Sequence, residues 1–178
     1  MQRIAIIGAC GSGKSTLAIK LSEITGLELI HLDQEFHLPG WVEREKQEWA
    51  NIHANLIAND SWIIDGCYSD TASVRIERSN MVILFDLPTW LCLYRVVKRI
   101  ILNHGKERVD SAAGCKERFD LGFLLYVFKF KRKKMSNLYS IVERRPKNTE
   151  LYVVKSNKDL KTILQRFNMS SKQGDLNA

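Results

Sequence analysis

Gly8-Ala9-Cys10-Gly11-Ser12-Gly13-Lys14-Ser15 fills every fixed position of the pattern G-x-x-x-x-G-K-[ST]. An apolar run, Ile4 to Ile7, precedes it, and helix-like spacing follows. Glycines let backbone N–H groups curl around an anion. The N-terminus of the following helix adds partial positive charge. In this pattern Gly8 to Ser15 form the cradle, Lys14 reaches the β- and γ-phosphates, Ser15 ligates Mg²⁺, and Thr16 holds the α-phosphate. The segment is not a dinucleotide fingerprint, which would need glycine where Cys10 stands. No Asn-Lys-x-Asp motif is present, so ATP rather than GTP is the expected nucleotide.

Phosphate-binding loops of this type work with a second carboxylate that orients the Mg²⁺ shell. Asp65 ends the apolar run "WIID", Asp33 ends "LELIHLD", and Asp86 ends "MVILFD". Carboxyl ends of parallel strands line the crevice where ligands bind. Asp65 is the candidate for the metal, Asp33 for substrate or metal, and Asp86 stands a distant third; each alone could instead be a helix cap or a turn residue. Arg95 and Arg99 are four apart and project from one face of an otherwise apolar segment. Guanidinium groups there need anionic partners: a triphosphate, or the carboxylates of structural salt bridges. Arg108 and Arg118 flank a charged stretch and are placed to fold down on a transferring phosphoryl group, with plain solvated charge as the alternative.

The elements that must position these groups alternate. "RIAIIG" (Arg3 to Gly8) reads as a buried strand, Lys14 to Thr25 as a helix stopped by Gly26, and Leu27 to Asp33 as a second strand. Pro39-Gly40 marks a turn and Glu43 to Asn59 an amphipathic helix. Ser61 to Gly66 and Met81 to Pro88 are further strands. The helix from Pro88 to about Leu102 is apolar nearly all round, which predicts deep packing. Lys106 to Asp120 reads as a charged loop, Leu121 to about Val142 as a long basic helix, Thr149 to Ser156 as a fifth strand, and a last helix runs to Phe167. Asn168 to Ala178 is a polar tail expected to fray. Alternation with nearly pure apolar strands predicts α/β architecture, a parallel sheet covered on both faces. One domain over residues 1–167 accounts for the chain.

The chain has 178 residues and a net charge of +7. Lys106 to Lys147 holds twelve Lys/Arg and five Asp/Glu, so this segment alone accounts for the excess. Its densest part, "FKFKRKK" (Phe128 to Lys134), puts five positive charges in seven residues. Such a patch suits a lid over a triphosphate or a contact with nucleic acid, although no recognition motif accompanies it. Cys10, Cys67, Cys92 and Cys115 fit no zinc spacing and read as reduced thiols of a cytoplasmic protein. The N-terminal apolar run is too short for a signal peptide, no window matches a membrane span, and no membrane partner is expected.

"LFDLPTWLCLYRVVKR" and "WIIDG" resemble segments of the P-loop small-molecule kinases related to adenylate kinase. That resemblance covers Met1 to about Leu102 and implies Arg95 near the adenine and Arg99 near the phosphates. "GACGSGKSTLA", "HLDQEFHLPGW", "WIIDGCYS" and "GCKERFDLGFLLYVFKF" together resemble the bacterial DNA topology modulation proteins, ATP-binding members of the same group, as far as about Phe167. The implied fold is a three-layer, adenylate-kinase-like P-loop NTPase fold with a five-stranded parallel sheet and a helical basic lid over about residues 105–145. Departures from nucleotide kinases are informative. Gly66 is followed by Cys67-Tyr68-Ser69 rather than Phe-Pro-Arg, which weakens AMP as an acceptor. An aspartate ending the second strand is similar to shikimate-type and nucleoside-type kinases, which implies that Asp33 binds or deprotonates an acceptor hydroxyl. His31, His37, Trp41, Arg75 and Arg78 are candidates to shape that pocket. Three functions are expected to compete: phosphoryl transfer from Mg-ATP to a small acceptor, ATP-dependent DNA binding through Lys129 to Lys134, and phosphate binding without turnover.

Overall fold

The computed structural model describes residues 2–175. Its elements follow as β1 (Arg3–Gly8), α1 (Lys14–Thr25), β2 (Leu29–His31), α2 (Leu32–Phe36), β3 (His37–Leu38), β4 (Val42–Glu43), α3 (Lys46–Ala58), β5 (Trp62–Asp65), α4 (Ser69–Arg78), β6 (Met81–Phe85), α5 (Thr89–Asn103), α6 (Leu121–Glu143), β7 (Glu150–Val154) and α7 (Asn157–Asp175). Five strands form one parallel sheet in the order β2-β5-β1-β6-β7, and β3 and β4 pair separately as an antiparallel hairpin.

The register carries the functional consequence. Ile6 of β1 lies opposite Asp65 of β5 and Ile83 of β6, and His31 of β2 lies opposite Asp65. The loop leaving Gly8, the carboxylate of Asp65 and the chain following His31 therefore meet at the carboxyl edge of the sheet. Strands β5 and β6 are buried at every position, as is β1 from Ile4 onward. Buried side chains on both faces are what a parallel sheet layered between helices requires.

Several boundaries differ from the sequence expectation, each for a local reason. The second strand pairs with β5 only as far as His31, and the chain turns helical at Leu32. Asp33 thus sits in the first turn of α2 rather than at a strand end. Val42 and Glu43 pair back onto Leu38 and His37, so α3 starts at Lys46. The hairpin turn places Trp41 at φ 67, a left-handed conformation costly for a bulky residue. Helix α4 was not anticipated: its buried residues are Ala72, Arg75 and Ile76, too polar a set to show as a period. Helix α5 is not deeply packed all round. It buries Cys92, Val96 and Ile100 and leaves Trp90, Tyr94, Ile101 and Leu102 exposed. Helix α7 continues past Phe167 to Asp175, and residues 176–178 of the expected tail lie outside the described residues. No helix among the described residues is long and apolar enough to cross a membrane.

Candidate active site

The phosphate loop is shaped by its neighbours as much as by its expected ligand. A Cβ on Gly8 would lie 2.5 Å from the Phe85 carbonyl oxygen, and one on Gly11 would lie 2.5 Å from that of Cys92. Both residues also have positive φ. These two glycines are required by the approach of β6 and α5, beyond the access for an anion read from the sequence. At the head of α1, Lys14 Nζ donates to the Ala9 carbonyl at 2.8 Å and has no carboxylate partner among the described residues. Ser15 Oγ donates to Asp65 Oδ2 at 2.7 Å. The other carboxylate oxygen, Oδ1, contacts His31 Nδ1 at 2.5 Å. Burial pushes the His31 imidazole down, but the hydrogen bond and charge of Asp65 outweigh it and hold the group above its ordinary value. Ser15, Asp65 and His31 form one buried chain of contacts across α1, β5 and β2.

Asp33 opens into the same cleft from α2. Its Oδ1 accepts from the Tyr68 hydroxyl at 2.7 Å. Burial and the neighbouring Asp33 charge push the Tyr68 phenol far up, so it remains a donor. Tyr68 in turn packs on Phe36 and Trp49, with ring centroids at 4.7 and 5.1 Å. The cleft has a volume of about 740 Å³ and is lined by Lys14, Ser15, Asp65 and Asp33 together, with Cys10, His31, His37, Trp41, Cys67 and Tyr68 in its walls. The thiols of Cys10 and Cys67 are held above their ordinary values by burial, which keeps them protonated.

Of the residues expected to shape the acceptor pocket, His31, His37 and Trp41 line the cleft, whereas Arg75 and Arg78 do not. Arg75 is wholly buried behind the wall, donating to Gly66 O and contacting His53 Nε2, both at 3.0 Å. Burial and the Arg75 charge lower the His53 imidazole to about 4, so it stays neutral and accepts from the guanidinium. Arg78 donates to the Ala58 carbonyl at the surface. Asp86 is also outside the cleft. Tyr139 donates to it at 3.0 Å and Lys131 pairs with it at 2.6 Å, which makes it a tie between β6 and α6.

The loop between α5 and α6 roofs the cleft. Glu117, 4% exposed, accepts from Arg99 at 3.2 Å and from Arg108, which also bonds Asp110 at 2.8 Å. Burial pushes the Asp110 carboxyl up, but the charge and hydrogen bond of Arg108 overcome it and hold the group below the usual range. Arg99 and Arg108 are thus brought together, as expected, but around Glu117. Arg118 sits at the rim, exposed, 4.0 Å from Asp120. The roof is riveted to the β3–β4 hairpin. Gly40 N donates to Gly114 O at 3.1 Å, Trp41 Nε1 donates to Lys116 O at 2.9 Å, and the Cys115 thiol donates to Leu38 O at 3.3 Å. Glu117, Asp110 and Tyr68 are site residues that the sequence reading missed. "GCKERFD" and "GCYS" stand out as motifs in the sequence, but nothing in them assigns roles to these side chains.

Arg95 and Thr16 fall elsewhere. Arg95 Nη1 donates to the Ser12 carbonyl at 3.0 Å. With Gly13, Thr16, Lys20, Leu160 and Leu164 it borders a second cavity of about 230 Å³, on the α7 side of the phosphate loop.

No family model matches the chain. No curated protein sequence matches it either. Solved structures do. Shikimate kinase from Acinetobacter baumannii in complex with shikimate superposes with a TM-score of 0.61 at 14% identity, over 99% of this chain and 96% of that one. Shikimate kinase from Aquifex aeolicus matches with a TM-score of 0.54 at 16% identity, over 99% and 100% of the two chains. A gluconokinase from Sinorhizobium meliloti matches with a TM-score of 0.50 at 14% identity, over 99% and 94%. The chain has the P-loop kinase fold.

Proposed function

We propose that this chain transfers the γ-phosphoryl group of Mg-ATP to a hydroxyl of a small acceptor. The observation that carries the reading is that one cleft is lined at once by the Ser15–Asp65 pair, Lys14 and Asp33. The solved structures of the same fold are named for kinases of shikimate and gluconate, which supports an acceptor of that general kind.

The donor set fits Mg-ATP. Among the described residues Lys14 is a cation held by a carbonyl, so it can turn to an anion. Ser15 and Asp65 already place two oxygens within hydrogen-bond distance, the donor chemistry that Mg²⁺ takes from one carboxylate, one hydroxyl and substrate phosphates. When bound, ATP supplies the transferable group and Mg²⁺ spreads its negative charge. The loop amides and Lys14 hold the phosphates. His31 fixes Asp65 through its second oxygen. Asp33 receives the acceptor hydroxyl, sharing it with Tyr68, and takes or orients its proton. Arg99 and Arg108 neutralise the moving charge as they exchange Glu117 for phosphate oxygens, and the riveted roof excludes water. Arg118 completes the set from the rim as the roof settles. Arg95 and the cavity beside α7 suit the base of the nucleotide.

The resemblance to DNA topology modulation proteins belongs to the same reading, with DNA as its alternative partner. Lys129, Arg132 and Lys133 are exposed on α6, whereas Lys131 is tied to Asp86 and Lys134 turns into the cleft. ADP release from Mg-ATP is the deciding measurement, made with the protein alone, with pooled hydroxyl metabolites and with duplex DNA, and with Lys14→Ala as background. Stimulation by metabolites supports the kinase. Stimulation by DNA alone overturns it.

A further inference from the structure

Helix α5 has two unlike faces. The inner one buries Cys92, Val96 and Ile100, and half-buried Arg95 and Arg99 lead from it towards the phosphate loop and the roof. The outer one carries Trp90, Tyr94, Val97 and Ile101, which are 69%, 60%, 41% and 72% exposed. Their spacing is four, three, four, that of a helix–helix seam. Exposed apolar side chains on monomers are normally scattered singly. Here they stand in a row on successive turns, with Leu102 beside them.

We propose that this row is the contact between two copies of the chain, α5 packed antiparallel on α5 about a twofold axis. With the axis between residues 95 and 96, Trp90 meets the partner's Ile101 and Tyr94 meets the partner's Val97. Each pairing sets an aromatic ring against an aliphatic side chain, a self-complementary surface of the kind a twofold interface needs. The area is adequate. An aromatic side chain offers roughly 150–250 Å² when fully bared, so the row with its flanking aliphatics presents on the order of 500 Å². Two such rows bury on the order of 1,000 Å² in total, the size at which a specific interface begins.

Charge argues for a second copy over an anionic partner. Between Trp90 and Leu102 the only exposed charged residue is Lys98. A nucleic acid or anionic lipid surface would call for several cations beside the row. The densest run of exposed cations lies elsewhere, on α6 from Lys129 to Lys133.

Sedimentation equilibrium of the full chain tests this without reference to any activity. At micromolar concentration the mass should be twice the 20.5 kDa of one chain. Tyr94→Glu should halve it while leaving the far-ultraviolet dichroism unchanged, because Tyr94 is exposed in the single copy. Ile101→Glu serves as a second disruption if Tyr94→Glu lowers helicity. The double variant Tyr94→Cys/Val97→Cys should give a covalent dimer on oxidation. A wild-type mass of 20.5 kDa overturns the proposal. So does a dimer that survives both glutamate variants. A monomer that sediments with phosphatidylglycerol vesicles through Tyr94 overturns it in favour of a lipid surface.

Discussion

The floor and the roof of the cleft are built by different physics. The floor is β1, β5, β6 and the phosphate loop, where side chains are buried and Gly8 and Gly11 leave no room for a methyl group. The roof is residues 104–120, which hold no regular element. It is tied down by Glu117 between Arg99 and Arg108 and by the polar rivets to the β3–β4 hairpin. Apolar packing resists opening because no solvent can replace it. Polar contacts near the surface are replaceable by water, so such segments open at low free energy. The phosphate site is therefore preformed, and the segment that must admit and release ligands is the one held by exchangeable bonds.

That contrast can be broken from the floor side most severely. Gly11→Val, which forces a branched side chain into the Cys92 carbonyl at positive φ, should cost about 3–5 kcal/mol and abolish nucleotide binding, read by thermal unfolding with and without Mg-ATP. Lys14→Met should instead lower ADP release about 100-fold, equivalent to about 2.7 kcal/mol, with the melting temperature unchanged. On the roof, Glu117→Ala leaves Arg99 and Arg108 without their shared buried carboxylate and should loosen residues 104–120, raising their rate of limited proteolysis about tenfold.

Acid offers a finer test. The folded His53 titrates near 4 against an ordinary 6.5, so between those values the unfolded chain binds a proton that the folded one refuses. Stability is complete above about pH 6.5 and falls as the pH drops towards 4. The melting temperature should decline by roughly 5 °C over that window, and His53→Gln, which keeps an acceptor for Arg75, should flatten the slope. The smallest effect is expected at Asp86. Asp86→Asn should cost about 1 kcal/mol through Tyr139 and Lys131 and leave ADP release untouched, since it lies outside the cleft.

The floor was legible in the sequence because its chemistry is local. Gly8 to Ser15 is contiguous, and Asp65 announces itself at the end of a three-residue apolar run. The roof was not, because its roles arise from residues far apart in the chain. Glu117 matters through Arg99 on α5, and Asp110 through its charge beside His31 on β2; an isolated acidic residue in a charged loop gives no sign of either. Asp33 lines the cleft from α2 rather than from a strand end, since nothing in "LELIHLD" tells where pairing with β5 stops. Arg75 illustrates the opposite problem. A charge normally marks solvent, and here it is a core residue satisfied by a backbone carbonyl and a neutral histidine. Helix α5 shows the same limit for apolar residues: its composition is apolar on every side, but which side is covered depends on what packs there.

The Trp41 rivet has an optical consequence. The chain has four tryptophans; Trp49 and Trp62 are buried in the core, and Trp90 lies on the outer face of α5, away from the roof. Of the four, only the Trp41 indole bridges the β3–β4 hairpin and the roof, through its bond to the Lys116 carbonyl. Lifting the roof would move that one chromophore from a peptide acceptor to bulk water and redden its emission. The molecule thus carries an intrinsic gauge of opening, readable in stopped flow without any dye and assignable by Trp41→Phe.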